Sequence, residues 1–353
     1  MTNHKHTFGI LIMLTFSFSI LFNCSKEVAP LQLKTQGVQS GATDPFKQNE
    51  KLGRGINLGN ALEAPTEGAW GVTLKADYFQ AIADAGFNSV RIPIRWSAHA
   101  KETAPYAIDP AFFARVDWAV RQALSRHLMA VINIHHYTEL MDNPSAHKAR
   151  FLSLWKQIGS HYKDFSSDLL FEILNEPNNQ LTPSLWNTYL NEALTVIRET
   201  NPTRTVIIGT ANWGGLSALD ALDISEEEHN VIVTIHYYEP FHFTHQGAEW
   251  VSRSNAWLGT TWNGTADQKT AIEKDFQTAA DWGQSHNRPI YLGEFGAYHK
   301  ADLVSRALWT NTVARTAERH HFSWAYWEFC SGFGAFDPVK EKWIPQLLKA
   351  LIP

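Results

Sequence analysis

Two short stretches of this 353-residue chain each leave a glutamate at the end of an apolar run. Residues 171–178 read FEILNEPN, where Phe171, Ile173 and Leu174 belong in a core and the run stops at Pro177. A carboxylate beside such residues is costly to desolvate, so Glu176 is read as presented to a ligand rather than packed away. Residues 291–296 read YLGEFG and offer Glu294 in the same manner. Two carboxylates across one cleft suit cleavage of a glycosidic bond, one as acid and then base, the other as nucleophile or base. If the second is a nucleophile, the two carboxyl groups are expected about 5–5.5 Å apart.

Further residues could support that chemistry. Asn175 precedes Glu176 and could hold a sugar 2-hydroxyl, or cap the turn. Arg91, in SVRIPI, is a permanent cation within an apolar strand and needs a buried anion; Glu294 is the expected partner. His236 and Tyr238, two apart in IHYY, share a face and are expected to hydrogen-bond the nucleophile. His135 and His136 are neighbours, so in a strand they point to opposite sides. The histidines and glutamates could also suggest a metal site, but the first strand has no His-x-His, and no metal and no cofactor are expected. Trp327 could form the floor under a sugar ring, or simply pack.

These residues require elements that bring them together. Apolar, β-branched runs occur at residues 53–60, 89–94, 129–136, 169–177, 205–210, 231–238, 289–296 and 323–329. Helical patterns lie between them, as at 74–86, 112–127 and 186–200. Strands so apolar are buried on both faces, as in a parallel sheet covered by helices. Eight β-then-α units match a (β/α)₈ TIM barrel forming a single catalytic domain over residues 45–353. The rival, a doubly wound open sheet, lacks its phosphate-binding loop, because no such glycine pattern follows any strand. The strand ends carry Asn60, Arg91, His135, His136, Asn175, Glu176, His236, Tyr238, Glu294 and Trp327. The fourth and seventh strands, bearing Glu176 and Glu294, are read as facing each other across the barrel. The long segment 239–264 contains Phe241, His242, Phe243, Trp250, Trp257 and Trp262, rings that either stack on sugars or seal the loop.

Composition narrows the partners. A net charge of −5 gives no electrostatic footprint for nucleic acid, and 44% hydrophobic residues are ample for a large core. Two cysteines, Cys24 and Cys330, make neither a disulfide framework nor a zinc cluster. The apolar run from Phe8 to Phe22 follows a basic start and is short for a membrane span. It ends in LFNC, so residues 1–24 read as a lipoprotein-type signal peptide with Cys24 lipidated, although Asn23 departs from the usual small residue. An ordinary secretory signal is the alternative; both export the protein to the cell surface, the periplasm or the medium. Residues 25–44 read as a flexible linker.

The motifs GINLGNALEAP, VRIPIRW, INIHHY, FEILNEP, TIHYY, YLGEFG and WAYWEF, in this order, resemble glycoside hydrolase family 5, the retaining cellulase/mannanase family. The wording of GAWGV, FTHQGAEW and WEFCSGFG is similar to that of its thermophilic endoglucanases that also act on mannan. The resemblance implies Glu176 as acid/base, Glu294 as nucleophile, and Arg91, His135, Asn175, His236, Tyr238 and Trp327 as their support. It further implies Asn60, Glu63, His136, His245 and Trp250 along the substrate cleft. The expectation is a monomeric retaining endo-β-1,4-glycanase acting on β-1,4-linked polysaccharide, of endoglucanase type and also active on glucomannan or mannan. A mannanase or xyloglucanase, a silent carbohydrate-binding barrel and a metal-dependent hydrolase are the alternatives.

Overall fold

A computed structural model describes residues 44–353; the segment read as a signal peptide with Cys24, and the residues read as a linker as far as 43, lie outside the described residues, whereas Asp44, counted with that linker, caps the first helix. Eight strands form the barrel, in order β1 (Arg54–Asn57), β2 (Ser89–Ile92), β3 (Met129–Asn133), β4 (Leu169–Glu172), β5 (Val206–Gly209), β6 (Val231–Tyr237), β7 (Ile290–Phe295) and β8 (Ser323–Tyr326), and a separate two-stranded sheet pairs Phe336–Asp337 with Lys342–Trp343. Each pairs in parallel with the next, and β8 closes on β1, giving the (β/α)₈ barrel. In that ring β4 and β7 are three places apart rather than diametrically opposed; β8 is the strand opposite β4.

Four of the outer helices start where the sequence supplies a side-chain acceptor, two of them followed by a proline. Asp109 caps the helix Pro110–Leu124, Thr182 caps Pro183–Arg198, and Asp302 caps Leu303–Arg319. Thr265 and Gln268 form a reciprocal capping box at the start of Ala266–Ser285. The link from β5 to β6 departs from the pattern, with a four-residue turn, Ala211–Gly214, and a 3₁₀ turn, Leu216–Ala221, where the other units carry a longer α-helix.

Alternation along the strands sorts side chains between two cores. Ile56, Val90, Ile132, Phe171, Ile208 and Leu292 face outward and pack with the helices. Met129, Val131, Leu170, Ile207, Ile232, Tyr291 and Ala325 fill the barrel interior. Leu52, from a helix the periodicity does not announce (α1, Pro45–Leu52), closes that interior cluster. Asn49 of the same helix accepts from Ser323 Oγ and donates to the Ile290 carbonyl, tying α1 beneath β7 and β8.

Two residues further along the strands the interior turns polar, and register sets the neighbours: Asn57 beside Arg91, Asn133 beside Glu172, His236 beside Glu294. On β7, strict alternation from the inward Tyr291 would send Glu294 outward with Ile290 and Leu292. The register shifts between Ile235 and His236, so that His236 pairs with Glu294 and Gly293 is passed over. This irregularity turns the carboxylate back to the mouth. Gly293 has no room for a side chain there: a Cβ would lie 2.5 Å from Thr234 Oγ1 and 3.2 Å from His236 Nε2.

Candidate active site

Arg91 is the hub of the mouth. It is fully buried on β2, and all five of its N–H groups are used. Nε and Nη2 grip the two oxygens of Glu172 at 2.6 and 2.8 Å, and Nη2 also donates to Asn175 Oδ1 at 2.7 Å. Nη1 donates to Asn57 Oδ1 at 2.8 Å and to Glu294 Oε1 at 2.7 Å. Burial disfavours the cation, but Glu172 and Glu294 outweigh it and hold its proton affinity well above the ordinary value. The expected Arg91–Glu294 pair is present, yet the guanidinium is shared with a second carboxylate. Because Arg91 has only donors, Asn175 must turn its oxygen to it, leaving Nδ2 as the amide group available to a ligand.

Glu176 follows β4, and the backbone N–H of Asn175 holds this strand end to the Ile134 carbonyl at 3.0 Å. His236 Nδ1 donates to Glu176 Oε1 at 2.8 Å and stands 3.7 Å from Glu294 Oε2. His236 therefore bonds Glu176 rather than Glu294, contrary to expectation, while Tyr238 Oη donates to Glu294 Oε2 at 2.9 Å. One oxygen from each glutamate and one His236 nitrogen lie within 4.8 Å of one another. Burial works against a charged His236, but Glu294 and the bond to Glu176 raise its proton affinity overall. Enclosure of the Tyr238 hydroxyl, with Glu294 and Glu176 beside it, pushes it well above the ordinary phenol, so it is a donor.

β3 ends at Asn133, so the rule that neighbours point to opposite sides does not govern the two histidines after it. His136 takes a left-handed backbone (φ 49°), and its ring meets that of His135 edge-on at 4.5 Å. His135 stacks on Trp327 at 5.9 Å with planes 13° apart, and burial holds it well below the usual imidazole range. Asn60 also has a left-handed backbone, with its N–H bonded to Glu63. Burial raises the Glu63 carboxyl to about 7, although backbone N–H groups of Asn60 and Ala61 favour its anion. Glu328, next to Trp327, is buried too and raised to about 8 by burial.

The aromatic loop divides between the two roles. Phe243 and Trp262 are buried in the outer core and seal it, whereas Trp250 is 62% exposed, resting on Tyr298 at 4.9 Å and Phe333 at 6.2 Å. His245 is buried, stacked on Phe241 at 4.1 Å, and its proton affinity is lowered by burial to about 4. Trp257 stacks on His242 at 4.2 Å.

Sequence reasoning passed over Glu172, Asn57, Asn133 and Glu328. Glu172 carries the signal that singled out Arg91, a lone charge within an apolar strand. Trp70 (40% exposed) and Trp213 (60% exposed) were missed as well. Trp70 meets His136 at 5.3 Å, and the backbone N–H of Trp213 donates to the Pro177 carbonyl just past Glu176.

A closed parallel barrel with a carboxylate pair at the ends of its strands defines the class, a barrel enzyme with a glycoside-cleaving type of site. The family model described as cellulase (glycosyl hydrolase family 5) matches residues 51–332, and the chain belongs to that family. Endoglucanase H of Acetivibrio thermocellus is 38% identical over 297 residues, 84% of this chain. The chain spans about a third of the first curated relatives it matches, 31% and 35% of their lengths. Cel5A of Thermotoga maritima in complex with cellobiose is 57% identical, with a TM-score of 0.86, covering 88% of this chain and all of that one. The same enzyme in complex with a mannotriose substrate gives 56% identity and a TM-score of 0.86, with the same coverage of both chains.

Proposed function

We propose that this chain is an endo-β-1,4-glucanase that also accepts β-1,4-mannan or glucomannan and retains anomeric configuration. The observation that carries the reading is the close approach of Glu176 and Glu294, oxygen to oxygen within 4.8 Å, around His236. Inverting enzymes leave room for a water between carboxyl groups about 6.5–9.5 Å apart, whereas retaining ones close to about 5–5.5 Å.

In this reading Glu176 donates its proton to the glycosidic oxygen as Glu294 Oε2 or Oε1 attacks the anomeric carbon. The bond to the leaving sugar breaks, its oxygen takes the proton, and a glycosyl ester forms on Glu294. Glu176, now the anion, takes a proton from water, whose oxygen displaces Glu294 and regenerates both groups. Asn175 Nδ2 would meet the sugar 2-hydroxyl, and Trp327 and Trp250 would meet ring faces. Asn60, Glu63, His136 and His245 would line the cleft. Support for mannan comes from the related enzyme's mannotriose complex.

A reducing-sugar assay over cellulose, β-glucan, glucomannan, mannan and xyloglucan, with and without chelator, and proton NMR of the freshly released product together test the reading. Hydrolysis of β-glucan and glucomannan, with the β-anomer released first and no loss on chelation, is expected. First release of the α-anomer would refute retention, and loss on chelation would favour a metal-dependent hydrolase. For the leader, the sequence supports export with cleavage before Cys24 and a lipid on its sulfur.

A further inference from the structure

Glu172 performs no step of this reaction, yet two networks of the mouth meet on it. It occupies two of the five Arg91 donors, and its Oε2 also lies 3.4 Å from Asn133 Nδ2, an amide that contacts His135 Nδ1 at 3.2 Å. Both charged groups are completely enclosed, with no exposed side-chain surface. Removing one member of such a pair leaves the other's charge uncompensated.

The charge distribution gives Glu172 more than a strut's role. Arg91 with Glu172 is a neutral unit, and Glu294 receives one hydrogen bond from it. Without the Glu172 anion, the full cation would bear on Glu294. A carboxylate facing an uncompensated guanidinium is a weaker nucleophile, because the electron pair it must share is stabilised in place. We propose that Glu172 is a positioning residue for this reaction, which balances Arg91 so that the guanidinium orients Glu294 and Asn175 without quenching the nucleophile. The inference rests on the reading of Glu294 as that nucleophile.

Other groups facing this cluster are Tyr291 on β7, His236 and Tyr238 of β6 and its end, Glu176 after β4, His135 and His136 after β3, and Glu63 after β1. Deleting one negative charge from their midst eases proton loss from all of them. The sign is therefore common to both limbs of the pH profile.

The test compares Glu172→Gln, which keeps shape and loses charge, with Glu172→Asp, which keeps charge and withdraws it by one methylene. In kcat/KM against an aryl β-cellobioside, the Gln variant is expected to move both limbs to lower pH by about one unit. Its kcat should fall roughly tenfold with KM within about twofold of the parent. The Asp variant should keep its limbs in place and lose part of kcat. Unmoved limbs in the Gln variant, or limbs that move equally in both, would overturn the proposal. If the Gln variant does not fold, the Asp variant decides: lowered kcat at unchanged KM supports the role, and a parental kcat overturns it. Trapping the parent with a 2-deoxy-2-fluoro-β-cellobioside tests the underlying reading separately, since a label on any residue but Glu294 sinks that reading whatever Glu172 does.

Discussion

Glu176 and Glu294 are the same residue type in similar motifs, and their surroundings separate them. Glu294 is buried, with one oxygen bonded by Arg91 and the other by Tyr238; the Glu176 carboxyl is partly open and, among the described residues, bonded by His236 alone. Under the proposed roles, Glu294 as nucleophile and Glu176 as acid and base, the two alanine variants should therefore fail differently. Glu294→Ala loses the attacking group, and activity should drop by several orders of magnitude on every substrate. Glu176→Ala keeps the nucleophile, so an aryl glycoside with a good leaving group still forms the glycosyl-enzyme, which accumulates for want of a base. Azide, which needs no deprotonation, should rescue Glu176→Ala to a β-glycosyl azide and Glu294→Ala to the α-product; product NMR with the two exchanged would reverse the assignment. A second expectation concerns Glu328, whose carboxyl is raised to about 8 by burial. A raised carboxyl favours folding while protonated, so this contribution is full below the unfolded value near 4.5 and is lost as pH rises through about 8. Glu328→Gln, which can still accept the Phe333 N–H, should gain a few degrees in melting temperature over the parent at pH 9 but not at pH 4; a pH-independent difference would contradict this.

At the scale of elements, the barrel is closed below and furnished above by segments with weak periodicity. α1 is only eight residues long, and its hold comes from Leu52 under the interior layer and from Asn49. Truncating such a buried leucine costs about 2–5 kcal/mol. Leu52→Ala should lower the denaturant midpoint accordingly, while kcat/KM per folded molecule stays at the parental value, because the cavity lies at the end of the barrel away from Glu176 and Glu294. An equal loss of activity per folded molecule would show that the bottom layer positions the mouth. Above, the segment 239–264 is anchored by Phe243 and Trp262, which frees Trp250 to project. Trp250→Ala should raise KM for long oligosaccharides several-fold with melting temperature unchanged; a fall in kcat alone would place the ring nearer the reacting bond.

For the molecule as a whole, the leader makes a prediction of its own. On the proposal that the chain is cleaved before Cys24, which follows the apolar run Phe8–Phe22, mass spectrometry of the native protein should find a diacylglyceryl-modified Cys24 at its start. A mature chain starting elsewhere would indicate an ordinary secretory signal. The sequence by itself determined the barrel, because eight apolar runs alternating with amphipathic stretches admit few other closed packings. It also pointed to Glu176 and Glu294 as candidates, because a carboxylate at an apolar strand end needs a reason to be there, but not to Glu172 or Glu328. Tertiary structure alone decided how those groups are shared. Arg91 could be read as needing an anion, but that it grips Glu172 with two donors and Glu294 with one follows from the register of β2, β3 and β4 around a closed ring. The partner of His236 likewise depends on a one-residue shift between β6 and β7, which local residue preferences do not encode. Which rings of the long loop are buried was decided by what they meet across the fold: Trp262 meets the core and Trp250 meets solvent. Periodicity records the face a residue prefers, whereas the contacts that divide charge and hydrogen bonds among buried groups arise only when distant strands close on one another.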